Sequence, residues 1–313
     1  MKYFVFTISL ISVLWFSKDY SPEELGNVNW LRNYEAAIEA SKTSDKPILI
    51  LFQEVPGCST CRNYGHNVLS HPLMVEAIEE YFVPLAIYNN KSGEDAKILK
   101  KYGEPSWNNP VVRIIDSEGV NLTKRLASDY SAEGLYRKMN EVLEERGVEA
   151  TPYFQLLGQE LKAGNTETAY YKMFCFWSGE GHLGSVDGVV ITEPGFMGGA
   201  EVVKVQYNPS IIKKEELDKI ASAQNCSATS AKANYRVDKD PQYYLKKSEY
   251  RYLPLSQTQR TKINSALASG TNPEAFLSPT QKRWYSEIKM GKTPDRSLYD
   301  MPLTEAWQLM VES

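Results

Sequence analysis

Pro47-Ile-Leu-Ile-Leu-Phe52, then Gln53-Glu54, Val55-Pro-Gly57 and Cys58-Ser-Thr-Cys61, is the stretch on which the reading of this chain turns. The uncharged, β-branched and leucine-rich run predicts a strand buried on both faces. Val55-Pro-Gly57 reads as a turn, and the polar stretch from Arg62 to Val68 reads as a helix. A Cys-x-x-Cys at a strand-to-helix junction places its first sulfur at a helix N-terminus, where the macrodipole and free N–H groups stabilise a thiolate. Cys58 is therefore expected as the nucleophile and Cys61 as the resolving thiol. The other readings are a structural disulfide and half of a zinc site. Zinc would need two further thiol or imidazole ligands at matching spacing, and only His66 and His71 stand nearby.

At 313 residues the chain exceeds one typical domain, and two are expected. A hydrophobic content of 42% with 12% aromatics supports packed cores. The net charge of −4 gives no basic surface for a nucleic acid, so neither DNA nor RNA is expected as a partner. Residues 1–20 stand apart. Met1-Lys2 precedes an apolar run, Tyr3 to Phe16, which is short for a membrane span and the right length for the core of a secretory signal. Trp15 and Phe16 make a poor cleavage site, so the expectation is an exported protein whose N-terminus is either removed or kept as a short anchor.

From 21 to 147 helical and strand patterns alternate. Trp30 to Ser41 and Leu73 to Glu80 have helical spacing, and Tyr81 to Tyr88 and Pro110 to Ile115 read as strands. Asp116-Ser-Glu-Gly119 is a turn, and Ser131 to Arg146 is an amphipathic helix. This order, with Cys-x-x-Cys after the first long strand, resembles the thioredoxin fold. The resemblance implies a cis-proline opening the strand that faces the thiols, and Asn109-Pro110 before Val111-Val112 matches that position, where it would present backbone to a docking peptide beside Cys58. The Val55-Pro-Gly-Cys58 lead is similar to a group of thioredoxin-like proteins and selenoproteins in which selenocysteine can occupy the position of Cys58.

Residues 148–165 are expected as a helical linker, with Leu156, Leu157 and Leu161 at helical spacing. Beyond it come a strand (Thr168 to Phe174), a helix (Ser178 to Val186), a strand (Gly188 to Thr192), a strand (Glu201 to Tyr207) and a helix (Lys213 to Ala221). That order predicts an α+β split βαβ sandwich over 166–313. Gln257 to Ala268, Ser278 to Met290 and Pro302 to Met310 read as further helices. There is no repeat, no glycine-rich phosphate loop and no metal constellation, so no cofactor is expected.

Phe174-Cys-Phe-Trp177, Gly188-Val-Val, Gly195-Phe-Met-Gly-Gly199, Ala200-Glu-Val-Val203, Tyr207-Asn-Pro209 and Asp238-Lys-Asp-Pro-Gln-Tyr243 follow one another in an order that resembles the A-type peptide methionine sulfoxide reductases. The resemblance implies that Cys175 attacks the sulfoxide sulfur and that Phe176 and Trp177 wall the methyl pocket. It further implies that Glu201 protonates the departing oxygen and that Asp238 and Tyr243 hold water and that oxygen. The products are methionine and a sulfenic acid on Cys175. This chain departs from the family pattern in three ways: the tyrosine-bearing loop is absent, so Gly199 directly precedes Ala200-Glu201; Phe174 and Phe196 replace a glycine and a tyrosine; and the C-terminal resolving cysteines are missing.

Cys226, in the small polar segment Ala223-Gln-Asn-Cys-Ser-Ala228, is the remaining thiol, and that segment reads as a flexible loop. Its bland reading is a small buried apolar residue. Its functional reading is the resolver of the Cys175 sulfenic acid, the resulting disulfide then being attacked by Cys58. The expected function is an exported oxidoreductase that repairs methionine-S-sulfoxide in proteins, with oxidised proteins or peptides as substrate. An upstream thiol reductant, a membrane thiol-electron transporter being one candidate, would recharge it. The alternatives are a thiol-disulfide oxidoreductase whose second domain only binds clients, and a non-catalytic module whose thiols hold a metal.

Overall fold

The structure is a computed structural model and describes residues 22–107, 110–230 and 234–312. The run Ile48–Gln53 forms β1, buried at every position, and it sits inside a four-stranded sheet of order β2-β1-β3-β4. β2 (Val83–Tyr88) runs parallel to β1, β3 (Val111–Ile115) antiparallel, and the short β4 (Leu126–Ala127) pairs with β3. Alternate residues of a strand face opposite sides. Leu49 and Leu51 accordingly enter a core with Leu73, Ile78, Leu135 and Met139, while Ile48, Ile50 and Phe52 enter a second core with Tyr34, Ala37, Ile98 and Leu99.

The helices of this half are α1 (Tyr34–Ser44), α2 (Ser59–Asn67), α3 (Pro72–Tyr81), α4 (Glu94–Tyr102) and α5 (Ala132–Glu145). α1 starts later than its periodicity suggests, because the Asn33 side chain accepts the Ala36 N–H at 2.8 Å and caps it there. Ser131 does the same for α5, accepting Gly134 N at 3.0 Å. α4 has no counterpart in the sequence reading.

Residues 148–165, expected as a linker, hold α6 (Pro152–Leu161), and this helix is packed rather than spanning. Tyr153, Phe154 and Leu157 are buried in the same core as β1. The Phe154 ring lies 5.3 Å from Tyr81 and 4.7 Å from Tyr136, and the Tyr153 hydroxyl donates to Glu80.

The second sheet has the order β8-β5-β7-β6-β9. β5 (Glu167–Lys172) and β6 (Val189–Met197) both run antiparallel to β7 (Ala200–Tyr207) between them, so they are parallel to each other. α7 (Phe176–Gly184) connects them, which makes the split βαβ arrangement expected from the sequence. Gly198 and Gly199 turn β6 into β7 with φ of 61° and 80°. A two-residue hairpin with both centres at positive φ favours glycine, and this turn stands where the family's longer loop would be. α8 (Lys214–Ala223), β8 (Ser227–Thr229) and β9 (Arg236–Val237) complete this layer.

The short α9 (Tyr243–Lys246) is followed by α10 (Gln257–Ser269), α11 (Pro279–Lys289) and α12 (Leu303–Glu312). α10 packs on α7 and β6 and also on α6, and α11 and α12 pack on α3. The Thr280 N–H donates to Glu76 Oε2 at 2.8 Å. The C-terminal helices thus join both sheets. Among the described residues no helix is long and apolar enough to cross a membrane, and Tyr3 to Phe16 lies outside them.

Candidate functional site

Two thiol centres stand on this framework. In the first, β1 delivers the chain to a fixed turn. Glu24 Oε1 accepts Gly57 N at 2.7 Å, Asn90 Oδ1 accepts Val55 N at 3.3 Å, Asn90 Nδ2 donates to Pro56 O at 3.3 Å, and the Val55–Pro56 peptide is cis. Gly57 has no room for a side chain, since a Cβ would come within 2.3 Å of the Glu54 carbonyl oxygen. Below the turn the buried Gln53 donates to Glu24 O at 2.7 Å and to Cys61 O at 3.2 Å.

Cys58 is the N-cap of α2 and is exposed, whereas Cys61 is 0% exposed, and their sulfurs are 3.5 Å apart as free thiols. The Cys58 thiol is held below its ordinary value chiefly by a hydrogen bond from the Cys61 backbone N–H, with the Thr60 N–H adding to it. Burial, reinforced by the neighbouring Cys58 sulfur, pushes the Cys61 thiol up to about 12. The two sulfurs thus differ both in exposure and in the ease with which each gives up its proton. The Glu54 carboxylate and both sulfurs lie within 4.8 Å of one another. Three ligands fall short of the four that a closed zinc site takes, and neither His66 nor His71 belongs to that group.

Pro110 is buried beside Val111, which pairs with Phe52 at the end of β1 that leads to the thiols. The Asn109–Pro110 peptide, expected to be cis, lies outside the described residues.

In the second centre Cys175 is the N-cap of α7 and partly exposed, and Phe174 before it is 99% exposed. Glu201, on β7 where it pairs with Phe196, aims its carboxylate at this helix start, Oε2 accepting the Phe176 N–H at 2.8 Å. The arrangement satisfies one of the helix's open N–H groups and puts a carboxylate one residue from the sulfur. Phe176 is buried, edge-on to Phe196 at 5.2 Å and tilted 5.5 Å from Trp177. The Trp177 indole N–H donates to Asp238 Oδ2 at 3.3 Å, and its face stacks on Tyr243 at 4.1 Å with 17° between planes. Structure therefore brings together Cys175, Glu201, Phe176, Trp177, Asp238 and Tyr243. Asp238 and Tyr243 were expected to hold water and oxygen. Asp238 Oδ2 accepts the indole N–H and the Asp240 N–H, and the Tyr243 hydroxyl accepts from Lys247 Nζ at 2.7 Å.

Cys226 corrects the expectation of a flexible loop. α8 ends in a tight turn with Asn225 at φ 56°, the Cys226 N–H donates to Ala221 O at 2.9 Å, and β8 begins at the next residue. The thiol is 3% exposed in the core of this sheet, and burial raises its pKa. Ser227 pairs with Lys172, three residues before Cys175, so Cys226 and Cys175 flank the same end of β5. Sequence reasoning missed Glu180. It is a 0% exposed carboxyl on α7, and its one signal was an acidic residue on the core-facing side of that helix.

A thioredoxin-like family model matches residues 29–117. A peptide methionine sulfoxide reductase of Methanococcus maripaludis is 41% identical over 70 residues, covering 17% of this chain and 45% of that protein. One from a Nostoc species is 35% identical over 79 residues, covering 18% of this chain and 48% of that protein. The chain spans about half the length of these curated relatives. A solved chain described as DsbH oxidoreductase aligns at 20% identity and a TM-score of 0.33, covering 41% of this chain and 92% of its own. One chain therefore carries a thioredoxin-like domain together with a segment similar to A-type peptide methionine sulfoxide reductases.

Proposed function

We propose that the chain is a thiol oxidoreductase that reduces methionine-S-sulfoxide in proteins with electrons drawn from its own Cys58–Cys61 pair. The observation that carries the reading is the Glu201 carboxylate at 2.8 Å from the Phe176 N–H, directly beside the N-cap Cys175. Cys175 attacks the sulfoxide sulfur and Glu201 protonates its oxygen; the oxygen then passes from the methionine sulfur to the Cys175 sulfur as the transient S–S bond breaks, which releases methionine and leaves a sulfenic acid on Cys175. The Cys226 thiol condenses with it, releasing water and forming a Cys175–Cys226 disulfide. The Cys58 thiolate then opens that disulfide, and Cys61 displaces the second-domain sulfur from Cys58. The oxygen leaves as water, and two electrons and two protons have come from Cys58 and Cys61. Joining donor and acceptor in one chain sets their effective concentration in the millimolar range, roughly. An upstream thiol reductant, for which a membrane thiol-electron transporter is a candidate, reduces Cys58–Cys61 again. The apolar run Tyr3 to Phe16 supports export, with the N-terminus removed or kept as an anchor.

The assay is turnover of a peptide carrying the S-epimer of methionine sulfoxide with a dithiol reductant. The parent should turn over and Cys175→Ser should not. Activity surviving in Cys175→Ser contradicts the assignment of the nucleophile. A second reading, a thiol-disulfide oxidoreductase with a client-binding second domain, is favoured by the engagement of Asp238 with Trp177 and of Tyr243 with Lys247. It is selected if the parent reduces protein disulfides but no sulfoxide.

A further inference from the structure

The wall of the second centre is not built by its own hydrogen bonds alone. Trp177 is held on one edge by Asp238 and on one face by Tyr243, and both belong to the segment Asp238 to Tyr243, which has little regular structure of its own. Something must fix that segment. Gln242, the residue before α9, has a left-handed backbone with φ 53° and ψ 51°. For a residue with a Cβ this conformation costs about 1 kcal/mol or more unless the surroundings impose it.

The group that imposes it comes from α7. Glu180, five residues after Cys175 and 0% exposed, accepts the Gln242 N–H on both carboxyl oxygens, at 3.0 and 3.2 Å. From the other side α10 contributes Asn264, whose Oδ1 accepts the N–H groups of Tyr244 at 3.0 Å and Leu245 at 3.1 Å. Carboxyl and amide together satisfy the open N–H groups at the start of α9, a helix too short to hold itself. The same helix thus carries the reacting sulfur at its N-cap and, on its buried side, the clamp for the residue that stacks on Trp177, two positions after that sulfur.

We propose that Glu180 is the positioning residue of the methionine sulfoxide site: by clamping Gln242 it fixes Tyr243 against the Trp177 indole, Asp238 being held by its own N–H on Pro194 O at 2.9 Å, and so sets the pocket that receives the substrate methyl group. Glu180 touches no substrate itself. A carboxyl in either protonation state keeps an acceptor oxygen, so the clamp depends on the acceptor and on its reach more than on charge.

The test uses the full chain and three variants. Glu180→Ala removes the acceptor. Glu180→Asp withdraws it by roughly one C–C bond, 1.5 Å, and guards against a failure of the alanine variant to fold. Glu180→Gln keeps an acceptor oxygen in place. Hydrogen exchange over 238–246 is read first, because it does not depend on activity. Exchange at Gln242 to Leu245 should quicken in the alanine and aspartate variants and return towards the parent in the glutamine variant. The kinetic arm rests on the reading proposed above. KM for a methionine sulfoxide peptide should rise on the order of tenfold in Glu180→Ala with a smaller change in kcat, and Glu180→Gln should recover most of it. Parent-like exchange in both Glu180→Ala and Glu180→Asp overturns the clamp. A lowered melting temperature with KM unmoved reduces Glu180 to a stabilising residue and overturns the positioning role. Should the parent reduce no sulfoxide, the reductase reading fails and the exchange arm alone decides whether Glu180 holds the loop.

Discussion

Cys58 and Cys61 differ in chemistry although three positions apart, because one sulfur caps a helix in water and the other lies under it. At pH 7 a small thiol reagent should label Cys58 ahead of Cys61 by on the order of tenfold or more, and labelling of Cys58 should persist below the ordinary thiol range, both read by mass spectrometry. Equal labelling contradicts the assignment of roles. Glu180 makes a second prediction. Burial pushes its carboxyl up to about 8, Asp238 adds repulsion, and the N–H groups of Gln242 and Tyr243 and the Asn264 side chain oppose both, with Tyr235 and Tyr299 within electrostatic reach. The folded chain therefore holds a proton that the unfolded chain releases near 4.5. Its contribution to stability is complete below that value and is lost as pH rises to about 8, at a slope approaching roughly 1.4 kcal/mol per pH unit. Melting curves of the parent should fall through this window more steeply than those of Glu180→Gln. Sequence alone announced the cysteines, since spacing and position carry their chemistry. It hid Glu180, because burial of a carboxyl goes against its chemistry, and the groups that satisfy it lie far along the chain: the Gln242 N–H, 62 positions away, the Tyr243 N–H and the Asn264 side chain.

Among the elements, α6 separates what periodicity reveals from what packing decides. Its leucine spacing showed a helix, but spacing cannot say which core receives the apolar face, and Phe154 lies between Tyr81 and Tyr136 in the first one. Phe154→Ala should therefore lower the unfolding free energy by about 3–5 kcal/mol in denaturant titration, whereas a residue on a solvated linker would change it by less than about 0.5 kcal/mol. The hairpin from β6 to β7 offers a similar test. Gly199→Val, at φ 80°, should cost about 1–2 kcal/mol through backbone conformation alone, since no atom lies within 4 Å of the site its Cβ would take. α4 escaped the sequence reading for a physical reason: it is only nine residues long, rich in Glu, Asp and Lys, and buries only Ile98 and Leu99, so its charged residues mask a narrow apolar face. β1 was legible because a strand covered on both faces reads as an unbroken apolar run.

For the whole molecule, α10 packs on α7, β6 and α6 while α11 and α12 pack on α3, and one chain carries both the Cys58–Cys61 pair and the proposed sulfoxide site. The split βαβ order could be read from the succession of strands, and burial of Cys226 was one of two readings of its segment; the structure gives the buried one, with β8 paired to β5 where a flexible loop was expected. The central claim is that electrons pass from Cys58 to the second centre. It is tested most directly by mapping disulfides in Cys61→Ser after a single turnover with a methionine sulfoxide peptide, because without the resolving thiol the mixed disulfide cannot be released. The account predicts a bond from Cys58 to Cys226 or Cys175. Cys58 found only in bonds to foreign thiols, with Cys175 and Cys226 never joined to it, would contradict the relay.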